Sequence, residues 1–338
     1  MLPFFHPSSV VVVDDDPIFL ESFAFHFDEL FVCETFSRPE EAIAHFKSKQ
    51  DHPGLVRGLF SGATDHDERG LTAEGDPIMR MDGARLKQLV GDESRFRELS
   101  LLIVDFSMPG LNGIDVCRQL KDHPARKLLL TGKAGKDTAV QAFNEGLIDS
   151  YHMKQEAGLS QTLAREVLRL QELYFRDVTR PIELAFEVQN TDLAKHEGFC
   201  TYFGQVRDAR GVAEYYRMTQ PSGVALITED GHPMFLVVQD EETQKSAVEI
   251  AMHEGAPDEL LHMLRSRSVV AMFPDREHAY TAVHASDWSK YVWPATVLPG
   301  DTEDNTLYVS LLEGADATTF MPDNMCTFAD FQQARDAA

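Results

Sequence analysis

Short runs of apolar residues recur along the first half of the chain, and each run ends at a polar side chain. The clearest is 101–104, Leu-Leu-Ile-Val, which is followed by Asp105 and, a few residues on, by Pro109 and Gly110. An unbroken apolar run bounded by turn residues is typical of a strand buried on both faces of a parallel sheet. Ligands of open α/β sheets bind beyond the carboxyl ends of the strands, which makes Asp105 a candidate functional residue.

Similar runs alternate with amphipathic segments through the first 158 residues. The predicted strands are 10–13, 30–35, 101–104, 127–131 and 147–152. The predicted helices are 17–27, a second that begins after Ser37, 113–121 and 138–144. This alternation predicts a doubly wound parallel sheet of five strands with helices on both faces.

The spacing between strand ends indicates an insertion. Asp105 and Thr131 are 26 residues apart, and Thr131 and Lys154 are 23 apart, so each pair is one strand-to-strand step. Asp14 and Asp105 are 91 residues apart, although only one strand is visible between them. Two steps of about 25 to 30 residues leave roughly 40 residues over. We therefore expect an insertion at about 51–99, where the hydrophobic pattern is lost.

The second half has a different pattern. Apolar residues at three- and four-residue spacing predict a helix over 159–175, which extends to the first breaker, Pro181, and a second helix follows from 182 to about 195. The apolar face of the helix over 159–175 is explained equally well by packing on the sheet and by contact with a second copy in a dimer. We expect 159–220 to be a helical bridge between a first domain, 1–158, and a third region, 221–338.

The third region is predicted to be a separate α+β domain. An Asp-Gly turn at 230–231 joins strands 224–228 and 234–238 as a β-hairpin. Further strands are predicted at 268–273, 291–298 and 306–312, and helices at 241–252 and 257–267.

Composition narrows the classes of function. The net charge of −24 repels phosphate backbones and anionic lipid, which disfavours nucleic-acid and membrane partners. The apolar runs are too short to cross a bilayer, and residues 1–7 lack the basic start of a secretory signal. The cysteines are isolated, which predicts a reducing, cytoplasmic location. They are Cys33, Cys117, Cys200 and Cys326.

The strand ends together predict one site. Asp14 and Asp15 follow the first strand, Asp105 follows the third, and Thr131 and Lys154 follow the fourth and fifth. Crowded carboxylates repel one another unless a cation lies between them, and a hard ion with oxygen ligands, Mg²⁺, suits such a cluster. A lysine and a threonine beside it suit a phosphoryl group. We therefore expect a carboxylate that accepts a phosphoryl group.

Four motifs in this order resemble the receiver domain of bacterial two-component response regulators, a flavodoxin-like (CheY-like) fold. They are Val-Val-Asp-Asp-Asp-Pro at 12–17, Leu-Leu-Ile-Val-Asp-Phe-Ser-Met-Pro-Gly-Leu-Asn-Gly at 101–113, Leu-Leu-Leu-Thr-Gly at 128–132 and Asp-Ser-Tyr-His-Met-Lys at 149–154. The resemblance covers about 8–175 without the insertion. It departs from the family at the insertion and at Gln155, where a proline is usual.

The resemblance implies a role for each motif residue. Asp105 would be the phosphoacceptor for a sensor histidine kinase or phosphotransfer protein. Lys154 would contact the phosphoryl group, and Thr131 and Tyr151 would form the switch pair. The Mg²⁺ ligands would be Asp14, Asp15, Asp105 and the backbone carbonyl of Ser107. The chain would be a phosphorelay protein and not an enzyme, apart from self-dephosphorylation.

Two alternatives stay open at the level of sequence. Asp14 and Asp16 match the Asp-x-Asp start of haloacid-dehalogenase-type phosphohydrolases, which also use Mg²⁺, but that leaves Asp105 unexplained. The output domain is either an interaction or dimerisation module, giving a homodimer, or a binder of small molecules or nucleic acid. In layout the chain is also similar to quorum-sensing response regulators, which implies an output that contacts nucleic acid.

Overall fold

The structure is a computed structural model, and it divides into two compact units. It describes residues 1–28, 30–49, 60–61, 80–81, 89–132, 136–188, 193–219, 221–274, 278–302, 305–322 and 324–337. The N-terminal unit consists of Phe5–Arg80 and Glu93–Ile182. The C-terminal unit consists of Met1–Phe4, Met81–Asp92 and Glu183–Ala338. The chain therefore passes from one unit to the other four times, and this division differs from the expected boundaries at 158 and 220.

The N-terminal unit is built on a five-stranded parallel sheet with strand order β3-β2-β6-β7-β8. A two-residue strand, β1 (Phe4–Phe5), precedes it and joins the second sheet described below. The elements that follow are β2 (Ser9–Val13), α1 (Pro17–Phe27), β3 (Val32–Phe36), α2 (Pro39–Lys49), the paired strands β4 (Phe60–Ser61) and β5 (Arg80–Met81), β6 (Leu99–Asp105), α3 (Gly113–Gln119), β7 (Arg126–Thr131), α4 (Lys136–Asn144), β8 (Ser150–Met153) and α5 (Leu159–Val188).

Helices cover both faces of this sheet, which explains why its strands read as unbroken apolar runs. In β2, Val11 and Val13 pack with α2, α3 and α4 on one face, whereas Val10 and Val12 pack with α1 and α5 on the other. All four valines are fully buried. The predicted doubly wound, flavodoxin-like sheet is thereby confirmed.

Helix α5 is longer than the sequence predicts. Leu163, Val167 and Leu170 belong to the buried cluster on the α1 face, so the apolar stripe packs on the sheet. The prediction that the helix ends at Pro181 and that a second one starts at Ile182 is wrong, because one helix runs from Leu159 to Val188. The proline removes one backbone hydrogen bond, yet the helix continues through it, and Ile182 directly after it is fully buried.

The C-terminal unit is an α+β fold around a six-stranded sheet with strand order β1-β9-β10-β11-β15-β14. The pairs that join β9, β10, β11, β15 and β14 are antiparallel. Its elements are α6 (Glu197–Arg210), β9 (Val212–Thr219), β10 (Ser222–Thr228), β11 (Pro233–Asp240), α7 (Glu241–His253), α8 (Asp258–Arg265), β12 (Val269–Ala271), β13 (Val292–Pro294), β14 (Thr296–Leu298), β15 (Leu307–Glu313), α9 (Gly314–Thr318) and α10 (Phe328–Asp336).

Several sequence predictions for this unit need correction. The hairpin β10–β11 is present, but β9 falls inside the region predicted as a helical bridge. The strand predicted at 291–298 is two strands in two sheets, since β13 pairs with β12 and β14 pairs with β15. Ala295 separates them, and its N–H donates to the carbonyl of Ser268 at 2.9 Å.

The end of the insertion belongs to the C-terminal unit. Leu89 and Val90 are helical and buried. The N–H of Cys326 donates to the carbonyl of Val90 at 3.1 Å. A Cβ added to Gly91 would lie 2.6 Å from the carbonyl oxygen of Asn324, so only glycine fits there. Most of the predicted insertion, 51–99, lies outside the described residues. Within the described part of the chain, no helix is long and apolar enough to cross a membrane.

Candidate functional site

The carboxyl ends of four neighbouring strands bring the predicted site residues to one edge of the N-terminal sheet. Asp14 follows β2 directly, Asp105 ends β6, Thr131 ends β7 and Lys154 follows β8. Because these strands are parallel and adjacent, their carboxyl ends point the same way. The topology therefore produces the convergence that the sequence predicts.

A lysine lies between two buried carboxylates at this edge. The Nζ atom of Lys154 lies 2.6 Å from Oδ2 of Asp14 and 2.9 Å from Oδ1 of Asp105. The side chain of Asp14 is 0 % exposed and that of Asp105 is 6 % exposed, whereas that of Lys154 is 26 % exposed. One ammonium group thus serves two carboxylates that have little access to water.

The electrostatics show that this pairing is incomplete. Burial raises the pKa of Asp14, and the opposing effect of Lys154 does not cancel that rise. Burial alone would lower the pKa of Lys154, but its hydrogen bonds to Asp14 and Asp105 outweigh burial and raise its pKa. The surroundings therefore favour the charged form of Lys154, whereas burial disfavours the charged form of Asp14.

The donor set at this edge fits a hard divalent cation. Carboxylate oxygens of Asp14, Asp15 and Asp105 all lie within 4.8 Å of one another. Asp15 is exposed, which leaves one side of the cluster open to solvent and to a phosphoryl group. Oxygen ligands and an unbalanced buried carboxylate are the features that Mg²⁺ sites in proteins share, so the residues present suit that ion.

Backbone groups hold the two buried carboxylates in place. Oδ2 of Asp105 accepts the N–H of Ser107 at 3.1 Å, and Oδ1 of Asp14 accepts the N–H of Asp16 at 3.0 Å. Each side chain therefore keeps one oxygen on the backbone and directs the other to Lys154. Ser107 lies beside the cluster, where the sequence places it.

The loop after Asp105 requires glycine at the start of α3. The N–H of Gly113 donates to the carbonyl of Phe106 at 3.1 Å. A Cβ at this position would overlap the carbonyl oxygen of Asp105 and lie 2.9 Å from Cδ1 of Leu129. The glycine lets the helix start approach the end of β6, which fixes the backbone that carries Asp105.

The predicted switch residues lie on neighbouring strands. Thr131 is fully buried; its Oγ1 donates to the carbonyl of Gly132 at 2.9 Å, and its own carbonyl accepts the N–H of Lys154 at 3.0 Å. Tyr151 is half-buried and packs against the apolar cluster under α3 and α4. Its ring lies edge-on to that of Phe143, with centroids 6.4 Å apart.

One contact at the site was not predicted from the sequence. The Nζ atom of Lys154 lies 5.0 Å from the centroid of the Phe19 ring. Phe19 also packs against the apolar cluster on the α1 face of the sheet. A signal was available, since Phe19, Phe23 and Phe27 recur every four residues and therefore share one face of that helix.

Asp16 takes no part in the carboxylate cluster. It is exposed and caps α1, because its Oδ1 accepts the N–H of Ile18 at 2.9 Å. An Asp-x-Asp pair of the haloacid-dehalogenase type needs its second carboxylate beside the first as an acid–base group. The capping role of Asp16 weighs against that alternative.

The N-terminal unit therefore has the receiver fold, with an acidic cluster and a lysine at the carboxyl edge of its sheet. No protein-family model and no curated protein matches the chain. Among solved structures, the Legionella pneumophila response regulator LqsR is similar over 100% of this chain and 97% of its own, with 23% identity and a TM-score of 0.73.

Receiver-domain structures match about half of the chain. A response regulator receiver domain protein from Clostridium thermocellum is 18% identical, covers 52% of this chain and 98% of its own, and has a TM-score of 0.31. A CheY-like receiver domain protein from Methanospirillum hungatei is 16% identical, covers 51% and 98%, and has a TM-score of 0.33. The likeness to LqsR, at 23% identity and a TM-score of 0.73, shows the fold alone, so activity has to be argued from the site.

Proposed function

We propose that this chain is a response regulator that accepts a phosphoryl group on Asp105 from a sensor histidine kinase or phosphotransfer protein. The observation that carries the proposal is the position of the Lys154 ammonium, 2.6 Å from Asp14 and 2.9 Å from Asp105. Asp14 and Asp105 are both buried around this one ammonium group, and Asp15 lies beside them. Burying like charges together costs stability, and such arrangements are concentrated at functional sites.

Each residue of the site has its own role in the proposed phosphoryl transfer. A carboxylate oxygen of Asp105 attacks phosphorus, an O–P bond forms as the P–N bond of the donor phosphohistidine breaks, and the imidazole leaves with the electron pair. Lys154 stabilises the negative charge on the phosphoryl oxygens. Asp14, Asp15, Asp105 and the carbonyl of Ser107 would hold Mg²⁺, which when bound supplies charge neutralisation for the incoming group.

The response would be a shift between two conformations. Thr131 would turn its hydroxyl toward the phosphoryl group, and Tyr151 would follow on the α4 side of β8. Support comes from their places on adjacent strands, where β7 and β8 pair Thr131 with Met153 and Leu129 with Tyr151. The chain would then act as a signalling protein that loses its phosphoryl group by self-dephosphorylation.

The C-terminal unit would be the output, acting as an interaction or dimerisation module. Continuity of α5 from the N-terminal unit into the C-terminal unit supports a transmitted signal. The net charge of −24 favours a protein partner, including a second copy of the chain, over nucleic acid.

Labelling with a small phosphodonor tests the proposal. With Mg²⁺ and radiolabelled acetyl phosphate, the parent protein is expected to take up label, and Asp105→Asn is expected to stay at background because the accepting oxygen is lost. Asp16→Asn is the matched control, since it changes a neighbouring aspartate outside the cluster and asparagine also caps helices.

The phosphohydrolase alternative predicts the opposite set of results. In that case Asp14→Asn would abolish turnover of an aryl phosphate, and Asp105→Asn would leave labelling intact. Label in Asp105→Asn at the level of the parent would refute the proposal.

A further inference from the structure

The ring of Phe19 lies beside the ammonium group of Lys154. Nζ of Lys154 lies 5.0 Å from the ring centroid, within the range of a cation–π interaction. The same nitrogen contacts Asp14 and Asp105. The groups near Nζ are thus two carboxylates and one aromatic ring, and the side chain of Lys154 remains 26 % exposed.

An aromatic ring can attract the Lys154 ammonium group without adding a further negative charge to the site, which a third carboxylate would do. The ring attracts the cation through its quadrupole without taking a strong hydrogen bond or adding negative charge. Lysine has a long, flexible side chain that loses about 2 kcal/mol of rotamer freedom when it is fixed. A ring that restricts where Nζ can go therefore helps to keep it between the two carboxylates.

The position of the Phe19 ring is set by the protein core and not by the site. Its centroid lies 6.1 Å from that of Phe23, which lies 4.4 Å from that of Phe27. The ring of Phe27 stacks on that of Phe31 at 5.7 Å. Phe23, Phe27 and Phe31 are buried, and Phe19 packs against the same cluster. The contacts of Phe19 with this row of rings do not involve Asp105 or its neighbours at the site.

We propose that Phe19 is a positioning residue, which holds the ammonium group of Lys154 at the point where it meets the phosphoryl oxygens. The kinetic part of this inference rests on the proposed function, whereas the placement of Lys154 does not. The competing explanation is that Phe19 only fills space on the α1 face, as a leucine would.

Nuclear magnetic resonance tests the placement without metal or phosphodonor. Ring current from Phe19 is expected to shift the ε-methylene protons of Lys154 upfield, and the signal is assigned by its loss in Lys154→Arg. The shift should disappear in Phe19→Leu and persist in Phe19→Tyr. It should also persist in Phe25→Leu, a control on the same helix whose side chain is 85% exposed. An unchanged shift in Phe19→Leu would overturn the inference.

Labelling kinetics test the consequence. Over a range of acetyl phosphate concentrations with Mg²⁺, Phe19→Leu is expected to lower the maximal rate constant by roughly 3- to 30-fold. The half-saturating concentration of acetyl phosphate should stay the same, because the misplaced Lys154 ammonium group acts on the phosphoryl group during its transfer. Phe19→Tyr is expected to restore the rate, and Phe25→Leu to leave it unchanged.

A core substitution separates positioning from packing. Phe23→Leu removes a fully packed ring of the same row and is expected to lower the free energy of unfolding at least as much as Phe19→Leu does. If both variants slow labelling equally and Phe19→Tyr does not restore it, Phe19 is a packing residue and the inference is wrong. If the parent shows the upfield shift but takes no label, the proposed function fails and the placement of Lys154 is supported.

Discussion

Each unit buries a carboxylate completely, and the two carboxylates have opposite surroundings. In the C-terminal unit, Glu214 accepts the N–H of Phe328 at 2.8 Å and the O–H of Tyr216 at 2.7 Å. In the N-terminal unit, Asp14 shares one lysine with Asp105 and lies near Asp15. The hydrogen bonds of Glu214 are made within its own fold, as is usual for a buried polar side chain. A buried charge crowded by like charges indicates chemistry.

Sheet topology explains why, among the described residues, such a site is found in the N-terminal unit. Parallel neighbours in the N-terminal sheet place all carboxyl ends at one edge, so short polar segments far apart in sequence meet there. Antiparallel neighbours in the C-terminal sheet place successive carboxyl ends at opposite edges. Across the described ranges, the aspartates 14, 15 and 105 form the only group of three or more His, Cys, Asp or Glu side chains able to share a metal ion.

The largest expected effects come from one glycine in each unit. A Cβ at Gly113 would overlap the backbone of β6, and one at Gly223 would overlap the carbonyl of Leu236 and lie 2.7 Å from Cε1 of Phe235. Because backbone in a sheet centre cannot move aside cheaply, each alanine substitution is expected to cost about 3 kcal/mol. Gly113→Ala should abolish labelling, and Gly223→Ala should spare it.

Tryptophan fluorescence shows whether a glycine substitution lowers the stability of the C-terminal unit. Both tryptophans, Trp288 and Trp293, lie in the C-terminal unit, so their emission reports its unfolding in urea. Gly223→Ala is expected to lower the fluorescence midpoint. A variant with wild-type midpoint and normal labelling would show that its glycine is not needed for close approach.

The next largest effect is expected from a change at Glu214, the buried carboxylate of the C-terminal unit. Glu214→Gln replaces one acceptor oxygen with an NH₂ group, so either Phe328 or Tyr216 loses its acceptor. A cost of about 2 kcal/mol is expected in the urea midpoint followed by tryptophan fluorescence. Glu229→Gln is the control, because Glu229 is exposed in the turn between β10 and β11. Equal effects of the two changes would contradict the structural role of Glu214.

The smallest expected effect is an increase in stability, whereas the changes described above lower it. The pKa of Asp14 is raised by burial, so at pH 7 its ionised form costs more in the folded than in the unfolded protein. Without metal, Asp14→Asn is therefore expected to raise the midpoint of thermal unfolding, by roughly 2–4 °C. The gain should shrink as the pH falls and vanish below the ordinary pKa of 3.8, where the carboxyl is protonated in both states.

Thermal unfolding followed by circular dichroism at pH 7 and pH 3.5, in the presence of a chelator, measures this change. Asp16→Asn serves as the control for a lost charge at an exposed position. A lower midpoint for Asp14→Asn at pH 7 would mean that its contact with Lys154 outweighs the cost of burial.

The sequence predicts the N-terminal unit closely because local pattern and tertiary environment agree there. The predicted bounds of the first helix, 17–27, are those of α1, and the apolar run 10–13 differs from β2 by one residue. Strands buried on both faces are unbroken apolar runs, and the residues that end them are the site. The pairing of Lys154 with Asp14 and Asp105 follows from that topology.

The C-terminal unit was predicted less well because tertiary contacts override its local pattern. Strand β9 contains Glu214 and Arg217, which in a sequence indicate solvent, yet both are buried. Their environment depends on distant residues: Phe328 for the carboxylate, and Pro3, whose carbonyl accepts the N–H of Arg217 at 2.8 Å. No window of sequence around β9 contains those partners.

Because the chain passes between the two units four times, neither unit can be produced alone by cutting the chain at a single position. A gene fragment that ends after residue 182 would still encode Leu89 and Val90 but not the strands and helices among which they are buried. Such a fragment would expose apolar surface and invite aggregation. A fusion that joined a different module after residue 182 would meet the same obstacle, so the two units are expected to remain together in one chain.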